Sequence, residues 1–172
     1  DQNPRMSETF PPGRVDVWVG ALHDDLTAVY SMSADYELAP DGPMEHGLAI
    51  LSPSRLGTLV PEAARLPYAA EASSTGRVNG NGIASGCNGA FPVASTLMLD
   101  VHAPTLLTVY TESTTDLVMA VHHPDGTWEC NDDSIGNQPR VHVTFSEGEH
   151  RIWVGTYTDG ESSTFTLHVD PD

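Results

Sequence analysis

A chain of 172 residues and 18.4 kDa is long enough to bury a full core, as one large domain or as one domain with an appended piece. Seven Arg, no Lys and 24 Asp plus Glu leave a formal charge of −17, which repels nucleic-acid phosphates and the anionic face of a membrane. No apolar run approaches the roughly 18 residues that a spanning helix needs, so nucleic-acid binding and a transmembrane segment are both set aside; the same acidity suits divalent cations, salty surroundings or plain solubility.

The chain opens Asp1-Gln2-Asn3-Pro4, with no initiator Met and no apolar signal core. The numbering is therefore expected to begin at a processed end or at the boundary of an expressed piece, any export signal having gone. From Pro4 onward this opening is a copy of the chain's end. Pro4-Arg5 match Pro139-Arg140, and the same offset of 135 residues brings Thr9-Phe10 onto Thr144-Phe145, Gly13 onto Gly148, Trp18-Val19-Gly20 onto Trp153-Val154-Gly155, Asp24 onto Asp159 and Asp35 onto Asp170, without a gap. Apolar character is shared between Val17 and Ile152, Tyr30 and Phe165, and Met32 and Leu167, as two copies of one strand pair would retain. Each copy reads as a turn at Gly13 or Gly148, a strand carrying Trp-Val-Gly, a polar turn at Asp24 or Asp159, and a second alternating strand. In the second copy Phe165, Leu167 and Val169 alternate with Thr164, Thr166 and His168, the period of two of a half-buried strand. The expectation is a duplicated β-hairpin, with Trp18 and Trp153 as equivalent core residues.

Residues 1–38 thus form a half-unit, and 39–56, with Ala39-Pro40-Asp41-Gly42-Pro43, read as a linker. Pro61 to Ala70 has some helical flavour, which Pro67 weakens, and the Ser/Gly/Asn-rich stretch from Ser73 to Gly89 excludes a long helix. Strands are expected at Leu97 to Val101, Leu106 to Tyr110, Leu117 to His122 and Val141 to Phe145, rich in β-branched and aromatic residues. The fold class that follows is all-β: an antiparallel β-sandwich with Greek-key-like wiring. The two cysteines, Cys87 and Cys130, lack the spacing of a zinc or CxxC motif and read as one disulfide, the other reading being two buried thiols. Such a bridge contributes about 4 kcal/mol in chain-entropy terms and points to an extracellular or cell-surface location.

Several motifs in the second half occur together: Asp116-Leu117-Val118-Met119, Pro124-Asp125-Gly126-Thr127-Trp128, Cys130-Asn131-Asp132-Asp133-Ser134, Pro139 and Trp153-Val154-Gly155-Thr156-Tyr157, with Gly86-Cys87-Asn88-Gly89 upstream. In this order and spacing, residues from about Gly57 to Asp172 resemble the bacterial pre-peptidase C-terminal type of domain, in a secreted variant. The resemblance implies a jelly-roll-like sandwich that usually serves as a noncatalytic appendage of secreted proteins, and some relatives bind calcium.

Asp116, Asp125, Asn131, Asp132 and Asp133 lie on turns flanking one strand and its successor, so their oxygens are expected at one end of the sandwich, where calcium could take them; the plainer reading is that Asp132 and Asp133 cap turns. His122 and His123 are adjacent and point to opposite faces, while His102, His142 and His168 read as solvent-facing. No Gly-x-Ser-x-Gly elbow or other nucleophile context occurs, so no catalytic residue is assigned. Trp128 is expected to cover the disulfide, and Tyr36, Tyr68, Tyr110 and Tyr157 would serve a carbohydrate surface only if exposed. The function expected is a non-enzymatic secreted module that binds or assembles, its partner being itself, in a homo-oligomer or head-to-tail filament built by strand exchange through residues 1–38, or an extracellular matrix or polysaccharide. The same half-unit could instead pack on its own chain or end a preceding unit of an array. The alternative function is a calcium-dependent accessory or carbohydrate-binding module of a larger secreted enzyme.

Overall fold

The computed structural model describes residues 44, 45, 47–49, 54–62 and 64–172. The half-unit 1–38, with Trp18, Tyr36 and the first copy of the repeat, lies outside the described residues. The strands in chain order are β1 (Met44–Glu45), β2 (Leu48–Ala49), β3 (Thr58–Leu59), β4 (Tyr68–Thr75), β5 (Val78–Asn79), β6 (Ala90–Phe91), β7 (Leu97–Val101), β8 (Thr105–Glu112), β9 (Leu117–His122), β10 (Trp128–Asn131), β11 (Arg140–Phe145), β12 (Gly148–Thr156) and β13 (Ser162–Pro171). One 3-10 turn, Gly80–Gly82, interrupts them. The helical flavour of 61–70 is not realised: a cis Leu66–Pro67 bond leads directly into β4, because proline removes a donor and its predecessor avoids the helical region.

Two sheets face each other. In one, β9 and β10 pair on one side of β12, while β7 and then β6 pair on its other side, with β3 beyond β7 and β5 beyond β6. The other runs β11-β8-β13-β4. Among the described residues every strand pairing is antiparallel except β3 with β7. Leu97, Leu99 and Val101 of β7, Leu117, Met119 and Val121 of β9, and Ile152 and Val154 of β12 meet Leu107, Val109, Val141, Phe145, Phe165, Leu167 and Val169 of the opposite sheet, and all of these are buried. The period of two in β13 is borne out: its odd-numbered residues from Ser163 to Val169 are buried and the even ones partly or fully exposed. This is an all-β sandwich, as the sequence implies.

The hairpin expected at the end of the chain is not formed. β12 and β13 belong to different sheets, β12 pairing with β9, β7 and β6, and β13 with β4 and β8. Both strands have one apolar face directed at the same interlayer core, so they stand opposite each other across it, and the Tyr157–Glu161 turn crosses from layer to layer. Trp153 follows from this. Being next to Ile152 and Val154, it points the other way, out of the interlayer core, and is 0% exposed in a second cluster with Leu48, Ile83, Cys87, Phe91, Val118 and Ala120. The segment between β5 and β6 supplies much of that second layer, which explains why β9 and β12 are buried on both faces. Leu48 and Leu56, from the stretch read as a linker, pack into the second and first clusters respectively.

Two repeat glycines sit where no side chain fits. At Gly155 an added Cβ would drive into the carbonyl oxygen of Ala90, and at Gly148, whose φ is +123°, it would stand 2.7 Å from Cγ of Pro124. The outer strands of the four-stranded sheet are guarded by side chains. The Arg55 guanidinium donates to the Ser73 carbonyl of β4 at 2.6 Å, and Asn131 accepts from the Arg140 amide of β11 at 2.9 Å, blunting edges that would otherwise recruit another strand.

Candidate functional site

The acidic end of the sandwich is assembled by the start of β9 and the loop after β10. Asp116 immediately precedes β9, and its carbonyl accepts from the Tyr157 amide at 3.0 Å. Its Oδ1 is buried without a hydrogen-bond partner, and burial, followed by the charges of Asp133, Asp132 and Glu161, holds its carboxyl above the ordinary aspartate value of 3.8. Asp132 is oriented from a distant part of the chain: its Oδ2 accepts from Asn88 Nδ2 at 2.6 Å. That contact depends on the bridge between Cys87 and Cys130, which is present, with Cα atoms 5.1 Å apart. The disulfide fastens the Gly86–Gly89 loop onto β10. Trp128 packs against the cluster that contains both cysteines and lies 5.2 Å from the Trp153 ring.

The remaining expected ligands are placed elsewhere or already engaged. Asp125 lies at the far end of β9, in the turn before β10, so the strand separates it from Asp116. Its Oδ1 accepts from the Thr127 hydroxyl at 2.6 Å and the Thr127 amide at 2.9 Å, and these bonds hold its carboxyl below the ordinary range. Asn131 Oδ1 accepts from the Ser134 hydroxyl and the Arg140 amide, both at 2.9 Å, which is a loop-organising role. Asp116, Asp132 and Asp133 are thus brought to one end, and Asp125 is not. Among the described residues no group of three or more His, Cys, Asp or Glu side chains is arranged to hold a metal ion; the fit to calcium rests on the unpartnered oxygen of Asp116 alone.

The tyrosines do not share a surface. Tyr68 packs on the interlayer core, Tyr110 stacks on His168 of the adjacent strand with centroids 4.6 Å apart, and Tyr157 is 50% exposed in the turn after β12. His168 is therefore half-buried rather than solvent-facing, and its Nε2 stands 3.4 Å from Glu112. His102 is exposed beside Asp100 at 3.3 Å, and His142 Nδ1 bonds the Thr108 hydroxyl at 2.8 Å.

The sequence reading passed over His150, which is 0% exposed. Its Nε2 lies 2.8 Å from the Ser146 carbonyl and its Nδ1 3.0 Å from Nδ1 of His123. His123 in turn places Nε2 3.5 Å from Glu129. The signal was available in parity: His150 shares its face with Ile152 and Val154 on β12.

No family model and no curated protein matches the chain. Among solved structures, the chain is similar to the pre-peptidase C-terminal domain of a collagenase from Bacillus anthracis, at 14% identity and a TM-score of 0.43, over 61% of this chain and 90% of that one. That is the type of domain which the motifs around the two cysteines and Trp153 resemble.

Proposed function

We propose that this chain is a noncatalytic module of a secreted protein that associates with other copies of its own sandwich, residues 1–37 of one copy taking the place that residues 136–172 occupy in another. The observation that carries the reading is where six of the repeat's ten identities fall; Arg140, Thr144 and Asp159, also shared, are exposed. Phe145 and Trp153 are fully buried, Val154 lines the interlayer core, Gly148 and Gly155 stand against Pro124 and Ala90, and Asp170 accepts from the Tyr110 hydroxyl at 3.2 Å. Each is a requirement imposed by the cradle of β4 and β6 to β10, and the opening segment retains the same residue at every one: Phe10, Trp18, Val19, Gly13, Gly20 and Asp35. A segment under no such constraint has no reason to keep two glycines and a tryptophan in register.

The cradle of the described unit is filled by its own β11–β13, so association by this route is an exchange rather than an addition to an open edge. It is accordingly slow, favoured by concentration, and capable of continuing head to tail. The disulfide supports an oxidising, extracytoplasmic setting. Light scattering on the full chain and on a form lacking residues 1–38 tests the reading. The full chain is expected to form concentration-dependent oligomers and the shortened form to be monomeric; a full chain that stays monomeric, or oligomers that survive the deletion, would overturn it.

The unpartnered oxygen of Asp116 favours a second reading, calcium at the acidic end beside Asp132 and Asp133. A site filled at 100 times its dissociation constant adds about 2.7 kcal/mol of stability. A rise in melting temperature with calcium that is lost in Asp116→Asn would support it, and no rise at millimolar calcium would end it.

A further inference from the structure

We propose that the contact between His123 and His150 is an acid-released clasp, which holds the turn between β9 and β10 against the turn between β11 and β12 and lets go when His150 takes up a second proton. The argument is one of donors and acceptors. Nε2 of His150 lies 2.8 Å from the Ser146 carbonyl, and a carbonyl only accepts, so that nitrogen carries the hydrogen. In the neutral ring Nδ1 is then bare and accepts from Nδ1–H of His123 across 3.0 Å. Nε2 of His123 stands 3.5 Å from the Glu129 carboxylate. The result is a chain running from Glu129 on β10 through His123 and His150 to the backbone of the opposite turn. Protonating His150 would set two N–H groups against each other at 3.0 Å, on a ring with no exposure to water.

The surroundings give a charge on His150 little shelter. His150 stands edge-on to the Phe145 ring at 5.0 Å, and its partner on β7 is Leu99. His122, at the end of β9, adds a further potential positive charge, and Asp125 in the following turn is the nearest counterweight. Glu149 and Arg151 flank His150 on β12 at positions of the opposite parity and bind each other, while Asp100 on β7 is paired across from Glu149. Glu147, in the β11–β12 turn, is exposed. Burial, ahead of every charge, pushes the His150 imidazole below the ordinary histidine value of 6.5. A histidine held neutral in the fold contributes its full stability above that value. The contribution is lost as pH falls below it, because the unfolded chain takes the proton first.

The repeat itself supplies the variant. Val15 occupies in the first copy the sequence position of His150 in the second, so His150→Val is the substitution that the repeat itself carries. Denaturant unfolding of the full chain is followed from pH 8 to pH 5. Below pH 6.5 the unfolding constant of the wild type is expected to rise more steeply than that of His150→Val, by up to tenfold per pH unit. Equal slopes would overturn the proposal. Nitrogen-15 NMR of the wild type decides the matter even if the variant does not fold: His150 is expected to keep its hydrogen on Nε2 and its bare Nδ1 at pH values where an exposed histidine is already protonated. Titration like that of an exposed histidine, with the fold intact, would contradict the clasp. Neither readout depends on whether copies exchange strands.

Discussion

Trp153 shows how one side chain can bind two layers of a protein without entering the space between its sheets. It rests on Val118 and Ala120 of β9 and beneath the segment that carries Cys87 and Phe91, with its indole N–H donating to the Val93 carbonyl at 3.3 Å. Trp153→Ala is expected to cost about 3–5 kcal/mol, read as a lower denaturant midpoint with an unchanged slope. Asp116 acts in the opposite sense. A carboxyl held above its unfolded value is a liability at neutral pH that disappears below the ordinary aspartate value, where both states are protonated. Asp116→Asn is therefore expected to raise the melting temperature at pH 7 in calcium-free buffer and to leave it unchanged near pH 3. Parity along β12 and β13 was legible at this scale. What parity could not give was depth: His150 and Trp153 lie on opposite faces of one strand, and both are buried because a second layer covers the sheet.

At the scale of elements, the strands of the second half were legible because their β-branched runs are bounded by turn residues. The way consecutive strands connect was not. A turn of polar residues between two alternating strands suits a hairpin and an interlayer crossing equally well, and the choice between them is made by what each strand finds beside it. β12 finds β9 and β7, and β13 finds β8 and β4. The acidic end was misjudged for a related reason: Asp116 and Asp125 flank one strand in sequence, and the length of that strand holds them apart. The disulfide joins residues 43 apart and pins the covering segment to β10. Cys87→Ser with Cys130→Ser is expected to lower stability by about 4 kcal/mol. It is also expected to raise hydrogen exchange first between Gly80 and Gly89, where the Asn88–Asp132 bond would be lost with the bridge.

Over the whole molecule, the dominant electrostatic fact is a charge of −17 with no lysine to offset it. Like charges within a Debye length repel, and that length falls from about 10 Å at 0.1 M salt to about 3 Å at 1 M. Raising sodium chloride across that range is expected to increase the melting temperature by a few degrees; a decrease would mean that attractive pairs outweigh the net repulsion. Screening should also favour association, since two copies must approach against the same field. The repeat was legible in sequence alone, but its meaning was not. Only the placement of Gly148, Trp153 and Gly155 shows that these three shared positions touch the rest of the sandwich.

Association through the opening segment is most directly tested by Gly20→Val, which leaves residues 136–172 and their own seat untouched. Gly20 corresponds to Gly155, where an added Cβ would collide with the Ala90 carbonyl. Sedimentation equilibrium of the variant beside the wild type is expected to show monomers where the wild type forms concentration-dependent oligomers, at equal melting temperature. Oligomers of the same size and affinity in both would contradict the exchange.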